Sequence, residues 1–219
     1  MTARVALDPP WLAVHTDAPV RVLSWSLNRP GFVETDCILW REVRNADLPR
    51  NFDVLDWLTR ELATKDKTHA VAFLTSRDVR AYHDVTVTVG NTSVQCIATV
   101  GLSNAEHIGT RLDRSHHDWG TINILVLTDI GITDAARIEA VGIVSQARTL
   151  AVLEAELDLP TGRASGTGTD CIAVAAPSGE TGFCGMHTEL GHAMGQAVYK
   201  AVSAGVTEWM QTVRREASS

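Results

Sequence analysis

The sequence lacks the features that mark a membrane-bound or secreted protein. No apolar run approaches the roughly 18 residues that a membrane-spanning helix requires. Near the N-terminus, only the three apolar residues 5–7 stand between Arg4 and Asp8. Such a run is far too short for the apolar core of a signal peptide. We therefore expect a soluble, cytoplasmic protein that does not bind a membrane.

Positive charge is also scarce. The 219 residues contain 19 Lys and Arg against 26 Asp and Glu, which gives a net charge of −7. An acidic protein repels phosphate backbones, so we expect no nucleic-acid partner. The hydrophobic fraction of 45% and the charged fraction of 21% are typical of a globular protein and argue against a disordered or fibrous chain. With no repeat and no Pro-, Gly- or Ser-rich linker, residues 1–219 are predicted to form one domain.

The cysteines are few and widely spaced. They contain no C-x-x-C pair, and no neighbouring basic cluster marks one of them as an activated thiolate. We expect four buried, reduced thiols that pack as small apolar side chains. They are Cys37, Cys96, Cys171 and Cys184. A cysteine nucleophile is the alternative interpretation.

Motifs for nucleotides and metals are missing as well. The sequence has neither G-x-x-x-x-G-K-[ST], nor G-x-G-x-x-G, nor H-E-x-x-H. His187 and His192 are five residues apart, not the three or four that share a helical face. The doublet His116 and His117 is typical of a solvated loop. We expect no protein-bound metal, although His187, at the start of a helix, is a candidate for acid–base catalysis.

Hydrophobic periodicity predicts both strands and long helices. Apolar alternation or short apolar runs predict strands over 21–28, 32–43, 70–75, 120–128 and 170–176. Two segments rich in Val and Thr flank Gly90-Asn91, which predicts a hairpin because both residues accept positive φ. Helical spacing predicts helices over 52–63, 133–157 and 187–215. Thr133 is the predicted N-cap of the second helix, with Asp134 in its first turn.

The order of these elements favours an α+β fold. Strands come in adjacent pairs and only three or four helices are predicted, which argues against repeated β–α–β units. Each long helix has one apolar face that must cover a sheet. We therefore predict a layered sandwich of antiparallel or mixed sheets with long covering helices.

Four polar segments punctuated by glycine interrupt the apolar elements. They lie at predicted strand or helix ends, where functional loops usually occur. They are 99–105 (TVGLSNA), 120–123 (GTIN), 165–170 (SGTGTD) and 185–191 (GMHTELG). Each alone is more typical of a simple turn than of an active site. Together they can converge on one site.

Two polar side chains stand beside or inside apolar strands. Asp170 directly precedes one, so its carboxylate needs hydrogen-bonding partners or its pKa rises. Structural and catalytic roles are both open for it. Asn123 lies within another apolar strand, where a carboxamide is costly unless it is hydrogen-bonded. It is a candidate substrate clamp or oxyanion donor.

Four motifs within these segments, in this order and spacing, resemble the adenosylcobinamide amidohydrolase (CbiZ) family over residues 22–202. The motifs are 99–105, 120–123, 166–170 and His187-Thr188-x-x-Gly191. The predicted helix between the second and third segments also matches. The resemblance implies an enzyme of corrinoid (vitamin B12) salvage. It would hydrolyse the amide that joins the aminopropanol arm to the corrin ring of adenosylcobinamide, giving adenosylcobyric acid and aminopropanol. The corrinoid substrate brings its own cobalt, so the resemblance implies no further cofactor.

The resemblance also selects candidate site residues. The catalytic candidates are Asp170, His187, Asn123 and Thr121. The substrate-binding candidates are Ser103, Asn104, Thr167, Thr169 and Thr188. In this scheme Asp170 or His187 is the acid or base, and we expect their side chains to meet in space. The asparagines would donate hydrogen bonds, and the threonines would supply hydroxyl groups.

A second similarity concerns residues 120–129 (GTINILVLTD) and the helix that follows them. This stretch is similar to the catalytic half of self-processing aminopeptidases and ornithine acetyltransferases, which cut their own chain before a Ser or Thr. It implies an αββα sandwich and, as an alternative function, a peptidase or acyltransferase with Thr121 as N-terminal nucleophile after Gly120. We expect an intact chain. A corrinoid-binding protein without turnover and a metal-dependent hydrolase are further alternatives, and a homo-oligomer is compatible with the sequence.

Overall fold

The computed structural model describes residues 3–44, 52–113 and 120–216. Within these ranges the strands are β1 (Ala3–Asp8), β2 (Trp11–Ser24), β3 (Gly31–Glu42), β4 (Val71–Thr75), β5 (Tyr82–Val89), β6 (Thr92–Val100), β7 (Ala105–Glu106), β8 (Ile122–Thr128), β9 (Asp158–Leu159), β10 (Gly162–Arg163), β11 (Gly166–Thr167) and β12 (Cys171–Ala176). The helices are α1 (Val54–Thr64), α2 (Asp134–Glu154) and α3 (Glu189–Glu216). His116 and His117, which were predicted to lie in a solvated loop, are outside the described residues.

Eight strands form one mixed sheet. Their order is β4-β3-β2-β12-β8-β6-β5, and β1 pairs with β2 outside this path. The pairs β3–β4 and β8–β12 are parallel, while the other pairs in the sheet are antiparallel. The predicted α+β class with mixed strand directions is therefore confirmed.

The long strand β2 belongs to both halves of this sheet. Its register against β3 shifts between His15 and Val20. Before the shift it pairs with β1, and after the shift it pairs with β12. Such an irregularity bends a strand and lets a sheet turn back on itself. The two halves then face each other, because Leu12 and Val14 of β2 share one buried cluster with Leu125 of β8.

Helices cover the two outer faces of the folded sheet. Leu58 of α1 packs with Leu39 of β3 on one side. On the other side, Val144 of α2 and Val198 of α3 pack with Ile124 of β8. The layers therefore run helix, sheet, sheet, helix, as predicted, but both β layers are halves of one continuous sheet.

Local signals account for where these elements begin and turn. The Thr133 hydroxyl accepts a hydrogen bond from the backbone N–H of Ala136 at 3.1 Å, so the predicted N-cap of α2 is confirmed. The predicted hairpin is also confirmed, since β5 and β6 are joined by Gly90 and Asn91 alone, and Gly90 has a φ of +56°. The four cysteines are free and buried, as predicted.

The first strands differ most from the prediction. The strand predicted over 21–28 begins ten residues earlier, at Trp11, and ends at Ser24. The strand β1 was not predicted. Polar residues and the Pro9-Pro10 pair interrupt this stretch, and the cross-strand pairing with β2 is a non-local contact that periodicity does not reveal. Among the helices of the described residues, none is long and apolar enough to cross a membrane.

Candidate active site

The candidate site lies at one end of the sheet, where β8 and β12 begin and β6 ends. Cys171 of β12 is the cross-strand partner of Asn123 in β8, and Asn123 is the partner of Thr99 in β6. Three of the four polar segments predicted from the sequence therefore meet here. They are the loop after β6, the residues before β8, and the loop that enters β12.

Two threonines tie these segments together by reciprocal hydrogen bonds. The Thr121 hydroxyl donates to the Thr169 carbonyl oxygen at 2.8 Å. In return, the Thr169 hydroxyl donates to the Gly120 carbonyl oxygen at 2.8 Å. Thr121 is buried, whereas Thr169 is exposed. Thr169 is therefore the residue of this pair that faces solvent.

A carboxamide supports the exposed hydroxyl. Asn104 Nδ2 donates to Thr169 Oγ1 at 3.1 Å, which extends the chain from Asn104 through Thr169 to the Gly120 carbonyl. Hydrogen bonds arranged in series polarise one another in a low-dielectric site. Asn104 Oδ1 is buried and has no partner among the described residues. The site thus holds one unused acceptor beside its polarised hydroxyl.

Gly120 is required by close packing of this region. A Cβ atom at this position would lie 2.7 Å from the backbone nitrogen of Ser103 and 2.9 Å from Asn104 Oδ1. Both distances are shorter than real Cβ contacts, so a side chain would push the 103–104 backbone away. The absence of a side chain at Gly120 therefore brings Ser103 and Asn104 to the site.

Asn123 links the two β layers. Its Nδ2 donates to the carbonyl oxygen of Leu74 in β4 at 2.7 Å, and its Oδ1 lies 3.2 Å from Thr121 Oγ1. Asn123 is only 1% exposed. The prediction that this strand carboxamide must be hydrogen-bonded is confirmed. Its burial favours a role in orienting Thr121 over direct contact with a substrate.

Asp170 accepts hydrogen bonds from four donors. Its Oδ1 accepts from the Ile122 N–H at 3.1 Å and from the Thr167 hydroxyl. Its Oδ2 accepts from the Thr167 N–H at 3.2 Å and from the Arg148 guanidinium. A carboxylate has about four acceptor sites, so these partners fill it. The arrangement suits a residue that positions the loop better than a base that must accept a proton from water.

Burial dominates the acidity of this carboxyl. Desolvation raises the pKa of Asp170, while the Arg148 charge and the hydrogen bonds from Thr167 and Ile122 oppose the rise. The sequence predicted that this carboxylate needs hydrogen-bonding partners or that its pKa rises. The carboxylate has such partners, and its pKa is nevertheless raised.

Arg148 is a site residue that the sequence did not indicate. It lies in the predicted helix α2 as an ordinary polar residue, and nothing in the helical pattern marks it. Its guanidinium crosses Gly166 to reach Asp170, and a Cβ atom at Gly166 would overlap it. A Cβ atom at Gly168, the second glycine of the segment 165–170, would meet nothing within 4 Å, whereas Gly166 is needed for this ion pair.

His187 lies at the opposite end of the molecule from Asp170. Glu189, two residues after His187, has a carboxylate oxygen 3.4 Å from Thr92 Oγ1 at the start of β6. Asp170 instead accepts a hydrogen bond from Ile122, the partner of Val100 at the end of β6. Eight strand residues separate the two positions, roughly 25 Å. The prediction that the Asp170 and His187 side chains meet is wrong. Helical periodicity predicted that His187 lies at the start of a helix. It could not show at which end of the sheet that helix starts.

Thr188 is also remote from the site, and its hydroxyl caps α3. It accepts a hydrogen bond from the Gly191 N–H at 2.9 Å and donates to the Gly185 carbonyl oxygen at 2.8 Å. The fourth polar segment is therefore a helix-capping structure. Seven of the nine candidate residues come together and the other two, His187 and Thr188, do not.

The thiol nearest the site is not activated. Cys171 stands beside Asn123 on the neighbouring strand, but burial raises its pKa to about 12. The thiol is therefore protonated at neutral pH, which argues against the alternative of a cysteine nucleophile. Within 3–44, 52–113 and 120–216, no three His, Cys, Asp or Glu side chains form a group that could hold a metal ion.

The fold and the site together define a class of protein. A layered α+β sandwich with hydroxyl and carboxamide groups gathered at the strand ends is suited to bind and polarise a carbonyl group. The model of the adenosylcobinamide amidohydrolase (CbiZ) family matches residues 2–214. The chain therefore belongs to this family.

Other relatives are more distant. The uncharacterized protein MJ1613 of Methanocaldococcus jannaschii is 34% identical over 87 residues, which is 38% of this chain and 34% of the archaeal protein. A Burkholderia sp. beta-aminopeptidase superposes with a TM-score of 0.46 and 12% identity, over 92% of this chain and 78% of that chain. The PH0078 protein from Pyrococcus horikoshii OT3 gives a TM-score of 0.40 and 12% identity, over 94% and 85%.

Proposed function

We propose that the chain hydrolyses the amide that joins the aminopropanol arm to the corrin ring of adenosylcobinamide. Water adds to the amide carbonyl carbon, the C–N bond breaks, and adenosylcobyric acid and aminopropanol are released. The reaction would serve corrinoid salvage. The observation that carries the proposal is that three segments bearing the family resemblance meet at one end of the sheet, around Thr121, Thr169 and Asp170.

The chemistry of these groups supports an acyl reaction. Amide hydrolysis requires a donor that stabilises negative charge on the carbonyl oxygen. The exposed Thr169 hydroxyl, held by Asn104, is the donor in this proposal. It would transfer its hydrogen bond from the Gly120 carbonyl to the carbonyl of the substrate. Thr121 and Asn123 would hold the Thr169 backbone in place for this contact.

Asp170 and Arg148 are positioning residues in this scheme. The Asp170 carboxylate ties the loop before β12 to Ile122 at the start of β8, and Arg148 anchors that carboxylate to α2. The donor residue Thr169 directly precedes Asp170 and is fixed with it. The corrinoid would bring its own cobalt as part of the substrate.

The proposal is tested by incubating the purified protein with adenosylcobinamide and separating the products by chromatography with mass detection. We expect adenosylcobyric acid and aminopropanol in equal amounts. An unchanged substrate contradicts the proposal. Corrinoid that is retained by the protein on equilibrium dialysis but never converted would instead support the alternative of a binding protein without turnover.

One observation favours a second candidate, self-cleavage between Gly120 and Thr121. The Gly120 carbonyl already accepts a hydrogen bond from the Thr169 hydroxyl, as the carbonyl of a bond to be cut would require. In that reaction Thr121 Oγ1 attacks the Gly120 carbonyl carbon, the acyl group moves from nitrogen to oxygen, and water then hydrolyses the ester. The new amino group of Thr121 would become the nucleophile of a peptidase or acyltransferase.

Intact mass separates the two candidates. Our main proposal predicts one species with the mass of the uncut chain. Self-cleavage predicts two fragments, 1–120 and 121–219, whose summed mass exceeds that of the uncut chain by one water. A Thr121→Ala variant would then be uncut, while Thr128→Ala, a change at the far end of β8, would be cut as the wild type is.

A further inference from the structure

An exposed tryptophan stands beside the candidate site. Trp25 directly follows β2 and is 47% exposed. Its indole Nε1 donates a hydrogen bond to the Asp170 carbonyl oxygen at 2.8 Å. Asp170 directly follows Thr169 in the chain, so the indole is bonded to the residue next to Thr169. This hydrogen bond fixes the edge of the ring while about half of the side-chain surface stays open to solvent.

The loop that carries Trp25 is held firmly in place. Asn28 Nδ2 donates to the Ala70 carbonyl oxygen at 2.8 Å, and Asn28 Oδ1 accepts from the Ala72 N–H at 3.0 Å. The Ser26 hydroxyl donates to the Arg29 carbonyl oxygen at 3.2 Å. An aromatic ring on a fixed loop loses little conformational freedom when a ligand covers it.

The same loop exposes further apolar surface. Leu27 is 46% exposed. Large apolar side chains grouped beside a polar site are typical of a ligand-binding wall. Trp25 is the member of this group that touches the site itself.

We propose that Trp25 is a specificity-determining residue, whose indole face supports the apolar flank of the corrin ring while the aminopropanol amide reaches Thr169. This inference rests on the proposed function. The corrin macrocycle is large and has an apolar ring system with amides at its rim. An aromatic face matches the ring system and the Thr169 and Asn104 groups match the amides.

Three variants of Trp25 separate the contribution of the ring face from that of the indole N–H. Trp25→Phe keeps an aromatic face and loses the bond to Asp170, Trp25→Gln keeps a donor and loses the face, and Trp25→Ala loses both. We expect Gln and Ala to raise KM for adenosylcobinamide by about tenfold, with kcat changed less than about threefold. Trp25→Phe should keep KM within about threefold of wild type.

Matched measurements guard against an effect on folding alone. Phe183→Ala removes another exposed aromatic ring, 74% exposed, from the end of the molecule where α3 begins, and it should leave KM unchanged. Equilibrium dialysis of adenosylcobyric acid, the product that lacks the scissile amide, measures binding without turnover and should show the same order as KM. Thermal melting reports whether each variant is folded.

Three results would overturn the inference, and they are distinguishable. If wild type converts adenosylcobinamide and Trp25→Ala has the same KM, the proposed function stands and the role of Trp25 is refuted. A loss confined to kcat in all three variants also refutes it, since that would mark a purely structural residue. If wild type neither binds nor converts the corrinoid, the proposed function fails and this inference fails with it.

Discussion

At the scale of single residues, the site is built from neutral donors held in place by one buried ion pair. The Thr121 hydroxyl donates to the Thr169 carbonyl, and the Thr169 hydroxyl donates to the Gly120 carbonyl. Asn104 donates to the Thr169 hydroxyl, and Asn123 accepts from the Thr121 hydroxyl. The charged pair Arg148 and Asp170 lies behind them. Removing a hydroxyl should therefore affect the reaction, whereas removing a charge should affect the position of the loop.

The raised pKa of Asp170 predicts a particular pH dependence of stability. Desolvation raises the pKa above its ordinary value of 3.8, so the folded protein holds this proton more tightly than the unfolded chain does. The contribution of Asp170 to the free energy of unfolding is therefore largest below pH 3.8 and is lost as the pH rises through the folded-state pKa. We expect the stability advantage of wild type over Asp170→Asn to shrink as the pH rises above 3.8.

Urea unfolding of both proteins across this pH range measures that difference. Asp158→Asn is the control for losing one negative charge, since the Asp158 side chain is 86% exposed. An advantage of wild type over Asp170→Asn that grows with pH would contradict the expectation. It would mean that Arg148 outweighs desolvation and holds the carboxyl ionised.

At the scale of elements, the helix α3 shows how a sequence motif can have a structural cause. The fourth polar segment contains Thr188, which caps the helix, and Gly191, whose N–H the cap binds. A Cβ atom at Gly191 would overlap the carbonyl oxygens of Cys184 and Gly185. The spacing of Thr188 and Gly191 is therefore explained by the turn that precedes α3.

Two glycines one helical turn apart give a matched test. We expect Gly191→Ala to lower the free energy of unfolding by about 2 kcal/mol, because the added methyl group meets backbone atoms that cannot move independently. A Cβ atom at Gly195 would lie 3.6 Å from Ile143 Cγ2, an ordinary contact. Gly195→Ala should therefore raise stability by about 0.5 to 1 kcal/mol through helix propensity.

Chemical denaturation of both variants decides this point. Equal effects of the two substitutions would contradict the packing argument, since it depends on the different surroundings of the two positions. A destabilised Gly195→Ala with an unaffected Gly191→Ala would contradict it as well.

At the scale of the whole molecule, periodicity predicted the covered sheets and most element bounds within a few residues. Periodicity could not predict that β2 belongs to both β layers, because the partners of a strand are set by contacts between residues far apart in sequence. For the same reason the sequence could not show that His187 and Asp170 occupy opposite ends of the sheet. Arg148 was missed because its position in the sequence is that of an ordinary polar helix residue. Trp25 was missed because it is an isolated aromatic residue.

The layered core also protects the thiols. Burial raises the pKa of Cys37 to about 11 and the pKa values of Cys171 and Cys184 to about 12, and it raises the pKa of Cys96 as well. We expect iodoacetamide at neutral pH to label none of the four thiols in the folded protein and to leave activity intact. Labelling in guanidinium should reach all four. Rapid labelling of Cys171 with loss of activity would contradict this and restore the cysteine nucleophile.

In the proposed reaction, amide hydrolysis takes place at the strand ends around Thr169 and does not involve His187. This is tested by measuring kcat/KM for adenosylcobinamide in wild type, Thr169→Ala, Thr169→Ser and His187→Ala. We expect a loss of about 100-fold or more in Thr169→Ala, as for removal of an oxyanion donor, recovery in Thr169→Ser, and no change in His187→Ala. Full activity in Thr169→Ala, or a loss of activity in His187→Ala alone, would show that the reaction does not depend on Thr169.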